Sequence, residues 1–312
     1  VSFLQRFRGV QKGPEIPWRK YLSVTRLRQV ISARAPSDPF GTDREKAIIP
    51  CIRSDGGLYP QGLEGGHALT PDDSAKPDRG SEWFVPRFGS PKFRRAIGLL
   101  FLPYTAMVIA FSVIGSMLAP ELHYWDRVAA IGFIYFLGLG IGAHALDALG
   151  SQTKKPWGEV FGKRQLWFLA GCSLTMAYLV AAYFMVRFVP NLIFIALIEG
   201  FFVFAYNLEW FGGRYHTDGW FAFSWGFLPV LAGYVMQTNT LSVAVLPVAL
   251  SMALFSLVEI KASRPYKALK QCGPHLEETD RALMIRLEVI LKSISLGVIV
   301  LGGGLLLFRL FD

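Results

Sequence analysis

Thiols are nearly absent from this chain. Cys51, Cys172 and Cys272 are the only cysteines in 312 residues, and no two have CxxC spacing. The pattern suggests neither a zinc site nor a disulfide framework, and the thiols read as small apolar residues. Acids are scarce at the beginning: Glu15 is the only one among the first 34 residues, against eight Lys or Arg. No apolar signal core precedes the first long hydrophobic run, which argues against a secretory signal. A basic leader beginning with Val fits an organelle-directed chain and, equally, a bacterial protein whose Met is removed or not numbered. Charge is also missing over long stretches, and those stretches set the fold class.

Half of the residues are hydrophobic and the mean hydropathy is positive, too apolar for an ordinary soluble domain. The apolar residues form runs of bilayer length, about 17 to 25 residues. Spans are expected near 97–119, 127–149, 165–187, 191–207, 219–236, 241–258 and 288–310, the fourth and fifth being short. The expected fold is therefore all-α, a multi-pass transmembrane bundle of about seven spans. The net charge of +9 would suggest nucleic acid in a soluble protein. Here the cations gather before the first span and in the connections 150–164 and 259–287, while 120–126 carries one Asp and one Glu and only the Arg127 that follows it, and 237–240 is uncharged. Seven spans with the amino end inside put the basic connections on one face. That excludes nucleic acid as the expected partner and implies a bacterial or organellar inner membrane.

Residues 1–96 read as a long basic extramembrane arm and 97–312 as the bundle. Pro, Gly, Asp and Ser break regular structure over 36–96. Near 17–34, Trp18, Tyr21, Leu22, Leu27, Val30 and Ile31 recur at helical spacing between Arg and Lys residues. Such a segment reads as an amphipathic helix for a membrane surface or a partner, or else as a solvated helix in a charged tail.

Ionisable residues inside spans are costly and are functional candidates. His144 and Asp147 lie on one helix face at the end of the second span. They suit a metal, a substrate or a proton, and equally a hydrogen-bonded pair that ties helices together. Glu199 lies inside the fourth span, and Glu259, Lys261 and Arg264 end the sixth. Arg214, Tyr215, His216 and Asp218 sit in the loop between the fourth and fifth spans, where Arg suits phosphate oxygens. Trp210, Trp220 and Trp225 read as interfacial anchors.

Three segments resemble the UbiA superfamily of intramembrane prenyltransferases. RYHTDGWFAFSWGFLPVLAGYVMQT (214–238) is similar to the family's Tyr/Arg loop leading into a helix of the form GPLxVLGxYYVQT. GAHALDALGSQTKKP (142–156) occupies the place of the first Asp-rich motif, and VEIKASRPYKALK (258–270) that of the second. The resemblance covers roughly 97–290 and implies a helical bundle around a lipid-open cavity, with carboxylates holding Mg2+ against a diphosphate. The motifs are degenerate: Ala143, His144 and Ser151 replace expected Asn or Asp, and only Asp147 and Glu259 remain as metal candidates. One span follows the second motif where the family has three. The resemblance therefore implies a catalytically degenerate structural or lipid/isoprenoid-binding subunit of a larger membrane complex, without a cofactor. Its expected partners are membrane lipids, an isoprenoid or quinone, and other membrane subunits. The alternative is an active prenyltransferase that uses Mg2+ to join a polyprenyl diphosphate to an aromatic or quinone-precursor acceptor. A transporter with a proton path through His144, Asp147 and Glu199 is a third class, without internal repeats to support it.

Overall fold

A computed structural model describes residues 82–120, 124–150, 161–272 and 276–311, all within one compact unit. The arm before residue 82, with its amphipathic segment near 17–34, lies outside the described residues. Helix α1 (Pro91–Leu99) begins where Ser90 Oγ accepts the Phe93 N–H at 3.3 Å and Pro91 fills the first position. The first span therefore starts ahead of residue 97. Phe101 takes a left-handed conformation, φ 44°, which breaks the helix before Pro103, and α2 (Leu102–Met117) continues.

The bundle is completed by α3 (Trp125–Gly150), α4 (Lys163–Arg187), α5 (Leu192–Asn207), α6 (Asp218–Thr238), α7 (Leu246–Gln271) and α8 (Glu278–Phe311). Among the described residues, six spans rather than seven are long and apolar enough to cross a membrane, counting α1 and α2 as one. The expected fourth span is α5, whose 16 residues rise about 24 Å, short of a hydrocarbon core of about 30 Å.

Helix α5 nevertheless carries the chain from one end of the bundle to the other. At its start, Asn191 donates its backbone N–H to Asn239 Oδ1 at 2.9 Å and its Nδ2 to Asn239 O at 2.7 Å, just past the end of α6. At its other end Tyr206 stacks on His216, ahead of the start of α6, with ring centroids 4.4 Å apart. The two helices are thus antiparallel neighbours. Asn239 has a left-handed φ of 54° and its side chain accepts the Asn191 N–H, so Asn239→Ala, which keeps only the backbone bond, is expected to cost about 1–2 kcal/mol, read from thermal unfolding in detergent.

Alternating direction places the ends of α3, α5 and α7 and the starts of α4, α6 and α8 together at a basic end. At the opposite end two arginines cap helices. Arg127 donates to Gln237 O at 3.2 Å, and Arg309 donates to Met117 O at 3.3 Å and Ala119 O at 3.2 Å. These carbonyls end α6 and α2, where helix dipoles favour cations.

The core centres on α2 and α6. The most apolar 18-residue window of α6 is 78% buried, whereas that of α8 is 17% buried and faces outward. Helix α2 packs chiefly on α6 and α8. Where α2 crosses α6, a Cβ added at Gly115 would collide with Val230 O and one added at Gly233 with Ser112 O. The Ser116 hydroxyl lies 3.1 Å from Gly233 O across the interface and 3.0 Å from Ser112 O. This is the small-residue contact that lets membrane helices approach backbone to backbone. Of the cysteines, Cys172 is free and exposed on α4.

Candidate functional site

Two helices widen before they reach the basic end. Phe136–Ala143 in α3 and Phe223–Phe227 in α6 wind as π-helix, an irregularity that re-aims the following side chains and recurs at functional sites. In α3 the alternation of Gly138, Gly140 and Gly142 admits close neighbours: a Cβ at Gly140 would press on Thr105 of α2 and one at Gly142 on Leu174 of α4. The widened turn of α3 ends at His144, and that of α6 contains Trp225.

Between them lies a continuous aromatic cluster. The His144 ring lies 5.2 Å from Phe101 and 6.3 Å from Tyr104, at the start of α2. Tyr104 stacks on Phe221 at 5.4 Å, and Phe221 in turn lies 5.7 Å from Tyr206 and 6.2 Å from Trp225. The His216 Nδ1 is 3.0 Å from Tyr206 O, a contact that places the ring proton on Nδ1.

Charged groups rim this cluster. Asp218, in the first turn of α6, lies 3.2 Å from Lys261 Nζ and 2.9 Å from Arg264 Nη2, the latter out of line for a hydrogen bond. Arg264 also reaches the Tyr206 side chain. Lys267 Nζ stands 4.9 Å above the Phe101 ring, within electrostatic range of His144 and Glu259. Beneath the rim, Tyr104 Oη, Trp225 Nε1 and Ser256 Oγ are buried without a hydrogen-bond partner.

The structure thus brings His144, Glu259, Lys261 and Arg264 to one end of the bundle. Asp147 is near Tyr206 there and makes no hydrogen bond or ion pair among the described residues. The loop contributes differently from expectation. Arg214 is exposed, and Tyr215 turns to an aromatic edge formed by Phe201, Phe202 and Trp220. His216 and Asp218 are the loop residues that reach the cluster. Trp225, expected as an interfacial anchor, is 4% exposed and sits inside the bundle. Phe101, Tyr104, Tyr206 and Lys267 were not legible as site residues, although a tyrosine hydroxyl inside an apolar run carries a milder form of the burial cost that singles out Asp147.

For Mg2+ the donor set is poor. Among the described residues no three His, Cys, Asp or Glu side chains converge as metal ligands, and Asp218 is committed to two cations. Near-octahedral oxygen coordination is not offered by Asp147 and Glu259 alone.

The fold and site define a polytopic helical membrane protein with a cluster of aromatic rings, rimmed by charged groups, at its basic end. No family model, curated protein or solved structure matches the chain.

Proposed function

We propose that the protein binds an isoprenoid or related lipid with an oxygenated head group at the ring cluster of the basic end, as a non-catalytic, UbiA-like subunit of a membrane complex. The observation that carries this reading is the pair of buried, unpartnered donors Tyr104 Oη and Trp225 Nε1 within one ring cluster. An unmet hydrogen bond in an apolar interior costs about 1–3 kcal/mol, and a ligand oxygen between these groups removes the cost. His144, Lys267 and the Tyr206–Arg264 pair adjoin the same ring cluster and add further polar groups. The surrounding rings suit a quinone-type or isoprenoid body. The partner subunits pack on outward faces such as that of α8, and the basic end faces the cytosol-type side of a bacterial or organellar inner membrane.

The test is lipid analysis of protein purified from native membranes in mild detergent, with stoichiometric isoprenoid or quinone-type lipid as the expected result. Tyr104→Phe gives an opposed pair of effects. Lipid-stripped protein becomes more stable by about 1 kcal/mol, because a buried unmet hydroxyl is gone, while lipid retention falls roughly tenfold. A parallel loss of stability and retention would count against the site. Magnesium-dependent turnover of a polyprenyl diphosphate that disappears in Asp147→Ala would establish the prenyltransferase alternative instead.

A further inference from the structure

The ring cluster at the basic end leaves one intramembrane acid unused. Glu199 lies within α5, where Tyr135 of α3 donates to its Oε1 at 2.9 Å. Its Oε2 has no partner among the described residues, and the side chain lines a cavity of about 70 Å³ between α3, α4 and α5. Apart from the tyrosine hydroxyls of 135 and 178, the other lining side chains are apolar. A lone carboxyl without a counter-charge in such a place is costly for the fold and marks a ligand contact.

This chamber borders a larger groove. Helices α4 and α5 meet only sparsely, and along α4 the surface between Trp167, Gly171, Thr175, Leu179 and Phe204 forms a hollow of about 570 Å³, within the size range of small-molecule sites. Leu174 and Tyr178 line both spaces. The Tyr178 hydroxyl reaches across to Ala196 O at 3.4 Å. Gly200 leaves room for it, since a Cβ there would collide with that hydroxyl. Tyr178 therefore stands as a partition between a groove facing the hydrocarbon and a chamber holding one carboxyl.

We propose that the α4–α5 groove and the Glu199 chamber form a lateral binding site for a single long isoprenoid or acyl chain that ends in an uncharged hydroxyl, which hydrogen-bonds to the Glu199 carboxyl. Neither space is lined by Lys, Arg or His, so phosphate and diphosphate heads find no counter-charge. A plain hydrocarbon would leave Oε2 unmet. A chain with a terminal hydroxyl, which both donates and accepts, satisfies the apolar groove and the carboxyl together. The site goes beyond the ring cluster at the basic end and uses other residues.

The experiment is photolabelling of the full chain in lipid nanodiscs with a C20 isoprenoid alcohol carrying a diazirine, alongside the matching monophosphate and the matching hydrocarbon. Labelling of α4 and α5 by the alcohol is expected to exceed that by either comparison probe about tenfold and to fall about tenfold in Glu199→Leu, the effect of one lost buried hydrogen bond. Gly171→Phe should block it as well; a Cβ there meets nothing within 4 Å, so this variant fills the groove without disturbing the bundle. Equal labelling by alcohol and hydrocarbon, preference for the phosphate, or labelling unchanged in either variant overturns the proposal. Labelling that falls with Tyr104→Phe but not with Glu199→Leu places the probe at the basic end and likewise overturns it.

Discussion

Gly233→Leu is expected to abolish folded, monodisperse protein. Where α2 crosses α6, Gly115 and Gly233 each face a carbonyl oxygen of the other helix, and a Cβ at either position would overlap it. Backbone cannot rotate out of the way as a side chain can, so a leucine must drive the two central helices apart. That separation also breaks the contact of Ser116 with Gly233 O and loosens the packing of α8 on α2. Even Gly233→Ala should cost more than the roughly 1–3 kcal/mol of ordinary overpacking. The control lies on α8, where a Cβ at Gly303 meets nothing within 4 Å. There alanine should be neutral or stabilising by about 0.5–1 kcal/mol through better helix propensity. Size-exclusion profiles and thermal unfolding in detergent separate the two outcomes. Comparable losses at 233 and 303 would mean that the close crossing is not what holds the bundle.

The second large effect is expected at Lys270→Met. Near the basic end of α7, Lys270 Nζ donates to Tyr266 Oη at 2.7 Å and to Glu82 Oε2 at 3.2 Å, and the Glu82 side chain is only 5% exposed. Tyr266 donates onward to Glu288 of α8 at 3.0 Å, and Lys292 closes the chain on Glu288 at 2.6 Å and lies over Trp83. Removing the lysine strands a buried carboxylate, a change that typically costs about 3–5 kcal/mol. The double variant Glu82→Gln with Lys270→Met should recover most of the loss, because the buried carboxylate is then neutralised. Failure of the double variant to recover would show that Lys270 acts through Tyr266 rather than through Glu82. The network also ties the segment before α1 to α7 and α8.

The membrane-spanning class was legible from the length and neutrality of the apolar runs, because a bilayer imposes length and hydropathy on each helix separately. Clustering of cations at one end was legible for the same reason. His144, Asp147, Glu199 and Glu259 stand out in the sequence as polar groups, since an ionisable side chain inside an apolar run is conspicuous wherever the helix turns.

Tertiary structure alone decided the rest. Helix α5 falls below spanning length, and only its pairing with Asn239 at one end and His216 at the other gives it the role of a crossing. The π-helical turns before His144 and around Trp225 shift which residues face inward, and a 3.6-residue periodicity cannot register them. That shift draws Trp225 from a membrane boundary into the core. The same loop sends Tyr215 outward and His216 and Asp218 inward, a choice made by which partners wait across the gap. The near absence of cysteine with which the chain first stands out ruled out little of this, because these choices are made by packing across the bundle, which spacing along the chain does not encode.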